Sequence, residues 1–288
     1  MSWQFFLGLY LVFSTTVYLL RRKLALLVPD HNRFVNWFFF AGVLYPVGLI
    51  TALIIRPDLR IGWTNLALLL GGELIFPIIN LLAFRANRDI DAGLFTILTN
   101  LAPIITIASA RLLLNEGLHG HQLLGAVIVI VSAFLASVHN LFGKHKASRR
   151  GVLIALASVV LLGLAITYER FMLTRVEFGA YLVFGWGGQA LWMTILAWPE
   201  RKNLFLLRQP QVAKRIIAFG LANAFQGLCF VGALTLSGSA SLVAATRSFL
   251  AVLVVLVAYY VLNERGWLAL KITAALTGAT GLIILNLK

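Results

Sequence analysis

Ten runs of mostly apolar residues divide the chain, at about 3–20, 34–55, 64–84, 91–113, 120–142, 151–170, 178–198, 213–235, 241–262 and 266–286. Each is close to the roughly 20 residues that a helix needs to cross a hydrocarbon layer about 30 Å thick. Helix satisfies every backbone amide within its own segment, as a lipid environment requires. A spanning strand would alternate apolar with polar positions, and Leu123 to Leu135 does not alternate. The pattern predicts an all-α polytopic membrane protein with ten transmembrane helices. No soluble domain is expected between them, because the longest connections, 21–33 and 199–212, hold fewer than fifteen residues. The first run leads into Arg21-Arg22-Lys23 without a small-residue cleavage site, so it reads as a helix and not a signal peptide.

The runs repeat. Leu114-Asn115-Glu116 returns as Leu262-Asn263-Glu264, 148 positions later in a chain of 288. Ala92 and Ala240, Leu94 and Leu242, and Ala110 and Ala258 keep the same register. A chain that repeats at half its length reads as two copies of one unit, here 1–146 and 147–288 with five helices each. Five is odd, so the two copies insert with opposite orientation. Inverted repeats of this kind point to transport across the interface between the halves.

Composition supports the membrane assignment. Hydrophobic residues make up 60% and charged residues 12% of the chain, against roughly 45–50% and 25% in soluble domains. The net charge of +14 does not indicate nucleic acid, since the basic residues lie between spans and no nucleic-acid-binding motif appears. The first connection carries Arg21, Arg22, Lys23 and Arg33. The fifth carries Lys144, Lys146, Arg149 and Arg150, and the seventh Arg201, Lys202 and Arg208, with Lys214 and Arg215 just inside the next helix. The second and sixth are poorer, with Arg56 and Arg60, and Arg170 and Arg175. The dense cluster thus follows the first helix of one half and the second helix of the other, as opposite insertion requires. The positive-inside rule places odd connections in the cytoplasm and both termini outside, in a plasma or prokaryotic inner membrane. Trp3, Trp63, Trp198 and Trp267 stand at segment ends, where aromatic rings favour the interface.

These features resemble the drug/metabolite transporter superfamily, specifically its ten-helix EamA-type members. That family has a proline in the fourth helix of a half, a glutamate thirteen residues later and a glycine nine after that. Pro103, Glu116 and Gly125 fit the spacing. In the second half Glu264 is present, Ala251 replaces the proline, Thr273 replaces the glycine, and Gly281 takes the later small position. The resemblance implies two inverted five-helix repeats around a central cavity lined by helices 1, 3, 4, 6, 8 and 9, with no nucleotide-hydrolysing domain. It places helices 5 and 10 against each other at the periphery. Ser132 with Ala136, Ala133 with Ser137, Ala274 with Gly278, and Thr277 with Gly281 supply small residues for that contact. Export, with proton coupling or facilitated exchange, is also what the resemblance implies. Family members look as if their termini are cytoplasmic, and the charge pattern here departs from that.

Glu73 is the sharpest single position, near the centre of the third run, where an ionised carboxylate costs about 2.5–3.5 kcal/mol on insertion scales. It reads either as a carboxylate that binds a cation or exchanges a proton, or as a protonated or paired group holding helices together. Asn80 shares its face, and Pro77 between them loosens the helix. Arg247 lies roughly 9 Å into the ninth run at about 1.5 Å per residue, with Ser248 beside it. Its counterparts in the first half are Thr99 and Asn100. It offers a planar fork for a carboxylate or phosphate, or serves as a structural counterion. Asn223 and Gln226 on the eighth run are candidate hydrogen-bonding groups. Glu169, beside Tyr168 near the end of the sixth run, reads as a gate or proton site, or as a surface ion pair with Arg170. Glu116 and Glu264 end their helices and read as structural contacts to a neighbouring backbone or arginine such as Arg111. For Trp186, Gln189 and Trp192 the first reading is packing or lipid contact.

His31, His119, His121, His139 and His145 lie near connections with no partners that complete a metal site. No catalytic triad, phosphate-binding loop or zinc-protease motif appears, and Cys229 is the single cysteine. No cofactor, metal or enzymatic activity is expected. The expectation is a secondary transporter working by alternating access on a small polar or zwitterionic, amino-acid-like metabolite. Its expected partners are that small molecule and the lipid bilayer, with no nucleic acid, as a monomer or weak homodimer. Two rivals stand beside it: an exporter of lipophilic organic cations, and a non-transporting membrane scaffold subunit.

Overall fold

The structure is a computed structural model that describes residues 2–90, 95, 98–99, 101–118, 120–137, 148–250, 252–253, 257 and 268–285. Among them the regular structure is helical. α1 spans Trp3–Leu27, and a 3₁₀ turn at Pro29–His31 leads into α2, Asn32–Ile55. α3 (Trp63–Gly72) and α4 (Ile75–Asp89) are the two parts of one span. α5 is Ala102–Leu113, α6 His121–Ser137 and α7 Arg149–Leu173. α8 runs from Phe178 to Glu200, its end tightening into a 3₁₀ stretch at Trp198–Arg208. α9 is Pro210–Ser237, α10 Ala240–Arg247 and α11 Leu268–Leu285. Among the described residues, six spans are long and apolar enough to cross a membrane: α1, α2, the α3–α4 pair, α7, α8 and α9. Their outward residues are apolar as well. Leu53 is 76% and Leu112 83% exposed, which suits lipid and not water.

Prolines explain two of the irregularities. A proline inside a helix cannot donate to the carbonyl four residues earlier, and its ring presses on that carbonyl. Pro46 releases Gly42, and the preceding stretch Phe38–Leu44 widens into π-helix. Pro77 releases Glu73, and the third predicted helix parts at Glu73 and Leu74. The ninth predicted helix also departs from a continuous rod, turning at Ser248 and Phe249 after α10. The first helix runs seven residues past its predicted end. Arg21, Arg22 and Lys23 therefore belong to α1 and not to a connection. Arginine and lysine are good helix formers, so an apolar pattern can stop before the helix does. Arg170 likewise lies within α7.

The chain sorts into two compact units, and each draws on both halves of the sequence. One comprises Met1–Arg88 with Tyr168–Leu236, the other Asp89–Thr167 with Ser237–Lys288. The first has an aromatic core. Phe39 and Phe84 meet Phe219 edge-on at 5.8 and 5.6 Å, and the Arg21 guanidinium lies 5.8 Å from the centroids of Phe84 and Phe219.

In the second unit small residues bring backbones together. A Cβ on Gly125 would lie 2.5 Å from Leu285 N, and one on Gly281 3.0 Å from Val129 N, so α6 and α11 pack main chain to main chain. α5 and α7 meet through the Ser109 and Thr167 hydroxyls at 2.6 Å and through Thr106 Oγ1, which donates to Gly163 O at 3.0 Å. α5 ends on the repeated triplet. Asn115 takes the left-handed conformation (φ 53°) that asparagine tolerates better than most residues. The turn brings Glu116 Oε2 to accept from Ala240 N, at the start of α10, at 3.0 Å. Ser239 Oγ accepts from Leu242 N at 3.3 Å on the same helix end. A carboxylate there meets unsatisfied amides and the positive end of the helix dipole. Glu116→Ala is expected to destabilise the fold by about 1 kcal/mol, the usual worth of such a cap. Thermal unfolding of the purified variant checks it, and an unchanged midpoint would remove the capping role. The second copy of the triplet, with Glu264, lies outside the described residues.

Candidate functional site

Glu73 is fully buried, 0% exposed, at the break between α3 and α4. The backbone of α8 presses on it at two glycines. A Cβ on Gly188 would sit 3.3 Å from Glu73 Cβ, and one on Gly185 3.3 Å from Glu73 Oε1. Any larger residue at either place would crowd the carboxylate. Gln189, one residue beyond Gly188, donates its Nε2 to Glu73 Oε2. Oε1 has no hydrogen-bond partner among the described residues. A buried carboxylate normally collects several donors, so this oxygen is an open valence in the middle of a span.

The break leaves the Leu70 carbonyl without its helical donor, and Trp192 Nε1 donates to it at 2.6 Å. Tyr168 Oη adds a second donor to Leu68 O, one turn earlier, at 2.9 Å. The Tyr168 ring lies against Gly72, where a Cβ would fall 2.2 Å from its Cζ. Tyr181 opens the π-helical stretch Tyr181–Gly185 of α8, and its hydroxyl donates to Glu169 Oε1 at 3.1 Å. π-Helical turns inside α-helices occur often at functional sites.

The structure thus brings two of the sequence candidates, Glu73 and Glu169, into one cluster with Tyr181, Gln189, Tyr168 and Trp192. Glu169 is 4% exposed, so the expectation of a surface ion pair is corrected: Tyr181 closes over it. The packing role expected of Gln189 and Trp192 is too small, because one bonds the Glu73 carboxylate and the other the helix break. Tyr181 carries no signal in the sequence beyond being a hydroxyl in an apolar run.

The other candidates lie elsewhere. Asn80 donates to Phe76 O at 3.1 Å and accepts from Arg21 Nη2 at 3.2 Å, a pairing that ties α4 to α1. Asn223 and Gln226 lie one turn apart on α9, and their Nδ2 and Oε1 atoms are buried without partners among the described residues. In the second unit Arg247 ends α10, and Ser248 Oγ donates to Ala244 O at 3.4 Å. Thr99 is half-buried, Pro103 is buried in the first turn of α5, and Gly125 and Gly281 belong to the α6–α11 contact. Arg111 folds over Gly117. Asn100 lies outside the described residues.

The first half of the chain, which holds Glu73 but not its partners on α7 and α8, resembles a known family. Residues 2–138 match the EamA-like transporter family. The spans described above are those of an integral, multi-pass membrane protein. A solved crystal structure shares the fold, with a TM-score of 0.67 over 96% of this chain and 98% of its own at 16% identity. No curated protein matches the chain. Among the described residues, no group of three or more histidine, cysteine, aspartate or glutamate side chains is placed to hold a metal.

Proposed function

We propose that the protein is a secondary transporter that exports a small polar, amino-acid-like metabolite in exchange for protons, with Glu73 as the exchanging carboxylate. The observation that carries this is the buried Glu73 Oε1, which lacks a hydrogen-bond partner among the described residues at a helix break. An unpaired charge in that place is costly. A proton in one state and a substrate ammonium group in another both relieve it, which is the alternation that coupled exchange requires. Discontinuous helices at mid-membrane are a recurring way to build transport sites. Asn223 and Gln226, with buried amide atoms still open, are proposed as further recognition groups.

The architecture proposed for this cycle is ten helices in two inverted repeats, 1–146 and 147–288. One observation supports it. α6 packs on α11, and His121–Ser137 shifted by 148 residues falls on 269–285, within α11. Termini outside the membrane follow from loop charge and are read by the accessibility of a tag at Lys288.

A second reading, export of lipophilic organic cations, draws on the aromatic residues beside Glu73, since Tyr and Trp faces attract cations. A screen of amino acids and organic cations for stabilisation of the purified protein separates the two. Uptake of the hits into proteoliposomes, with and without a pH gradient, then tests coupling. Gradient-driven uptake of an amino acid is the expected result. Equal uptake whichever way the gradient runs would remove proton exchange, and transport of no compound at all would favour a scaffold.

A further inference from the structure

Two buried carboxylates from different helices flank one phenol. Tyr181 Oη donates to Glu169 Oε1 at 3.1 Å. On its other side, the Tyr181 ring edge and Glu73 Oε1 crowd the same point, 3.2 and 3.3 Å from the Cβ position of Gly185. A phenol has one proton to give and lone pairs with which to accept. While Tyr181 donates to Glu169, it can only accept from Glu73. Glu73 Oε1 makes no hydrogen bond here, to Tyr181 or to any other described residue; a proton placed on it, with the carboxyl turned onto the phenol, would complete a chain running from Glu73 through Tyr181 to Glu169.

We propose that Tyr181 is a proton-relay residue that passes a proton between Glu73 and Glu169. The inference rests on the reading of Glu73 as a proton-exchanging group and deepens it by giving the proton a route. In the forward step the Glu73 O–H bond breaks as its proton joins Tyr181 Oη. The Tyr181 O–H bond breaks as its own proton joins Glu169. Tyr181 ends neutral, as it began, one proton has moved, and no other reactant is needed. The reverse step refills Glu73.

The route leads toward one membrane face. Glu169 lies four residues, about 6 Å of helix, from the end of α7 at Leu173. Tyr181 is in the first turn of α8. The connection between them, 174–177, meets the connection after α2: Glu177 Oε2 accepts from Asp58 N at 3.0 Å, and Gly179 packs on Pro57. Glu177 and Asp58 are therefore the acidic groups at the outlet. The basic ones are Arg170, next to Glu169, and Arg175, whose guanidinium lies 4.3 Å from the Phe171 ring centroid. Tyr168 is committed to the Leu68 carbonyl. Tyr45 packs on α8 at Gly187, away from both carboxylates in register.

The test needs no substrate. Infrared spectra of the full-length protein show protonated buried carboxyls as a C=O stretch that shifts when the medium is changed to D2O. Wild type is expected to show such a band, and Glu73→Gln to lose it. Tyr181→Phe keeps the ring and removes only the hydroxyl, and it should slow the D2O shift at least tenfold. Glu169→Gln gives a second route to the same result, since it still accepts from Tyr181 but takes up no proton. A band absent from wild type, or retained in Glu73→Gln, overturns the reading of Glu73 and the relay with it. A band lost in Glu73→Gln but exchanging at the wild-type rate in both Tyr181→Phe and Glu169→Gln overturns the relay alone.

Discussion

Glu73→Gln is expected to abolish the part of transport driven by a pH gradient while leaving the protein folded. The substitution is nearly isosteric. Its carbonyl can keep the bond from Gln189, and its amide nitrogen takes the place of the oxygen that lacks a partner, facing Tyr181. Folding therefore loses no hydrogen bond, and thermal stability should be equal to wild type or higher. What is lost is a group that can be charged in one state and neutral in another. Removing a hydrogen bond to a charged partner is worth about 1.5–3 kcal/mol, or about 10- to 150-fold in binding or rate. Gradient-driven uptake in proteoliposomes should fall by that order. A variant that accumulates substrate at the wild-type rate, with the same response to pH, would take the carboxylate out of the mechanism.

The largest loss of stability is expected at Gly125. A side chain there points at main chain: Leu285 N at 2.5 Å, Leu285 Cα at 2.7 Å and Gly281 O at 2.8 Å from the Cβ position. None of these atoms can rotate aside, so α6 and α11 must separate. Overpacking costs about 1–3 kcal/mol, and chains of this size lose about 2–4 °C per kcal/mol. Gly125→Leu should lower the melting temperature in detergent by at least about 5 °C on that scale. Gly71→Ala is the control, because nothing lies within 4 Å of its Cβ position. If the two variants melt together, the close approach of α6 and α11 does not contribute to stability.

Much of this is legible in the chain because lipid imposes a simple rule on helix length. The six long spans fall on six of the ten predicted runs, and an acidic residue inside an apolar run marks Glu73 from the sequence alone. Pro77 marks the break as well, since its missing amide must free the carbonyl of Glu73. Partnership is not legible. Gln189 lies 116 positions from Glu73, and nothing local says which carboxylate a mid-span glutamine will meet. Glu169 misleads for a related reason. Its distance from the helix end suggests solvent, but burial depends on Tyr181, which arrives from the next helix. The repeated triplet is visible as a repeat and silent as physics. Its asparagine stops α5 in a left-handed turn, and its glutamate caps a helix that begins 124 positions later.

The parting of α3 and α4 has a mechanical consequence. α4 has 15 residues, about 22 Å of rod at 1.5 Å per residue, and it begins two residues after Glu73. A swing of about 10° at that joint would carry the Asp89 end roughly 4 Å on this geometry, while the fulcrum hardly moves. A change of charge on Glu73 would therefore act where a small local bend becomes a large distant displacement.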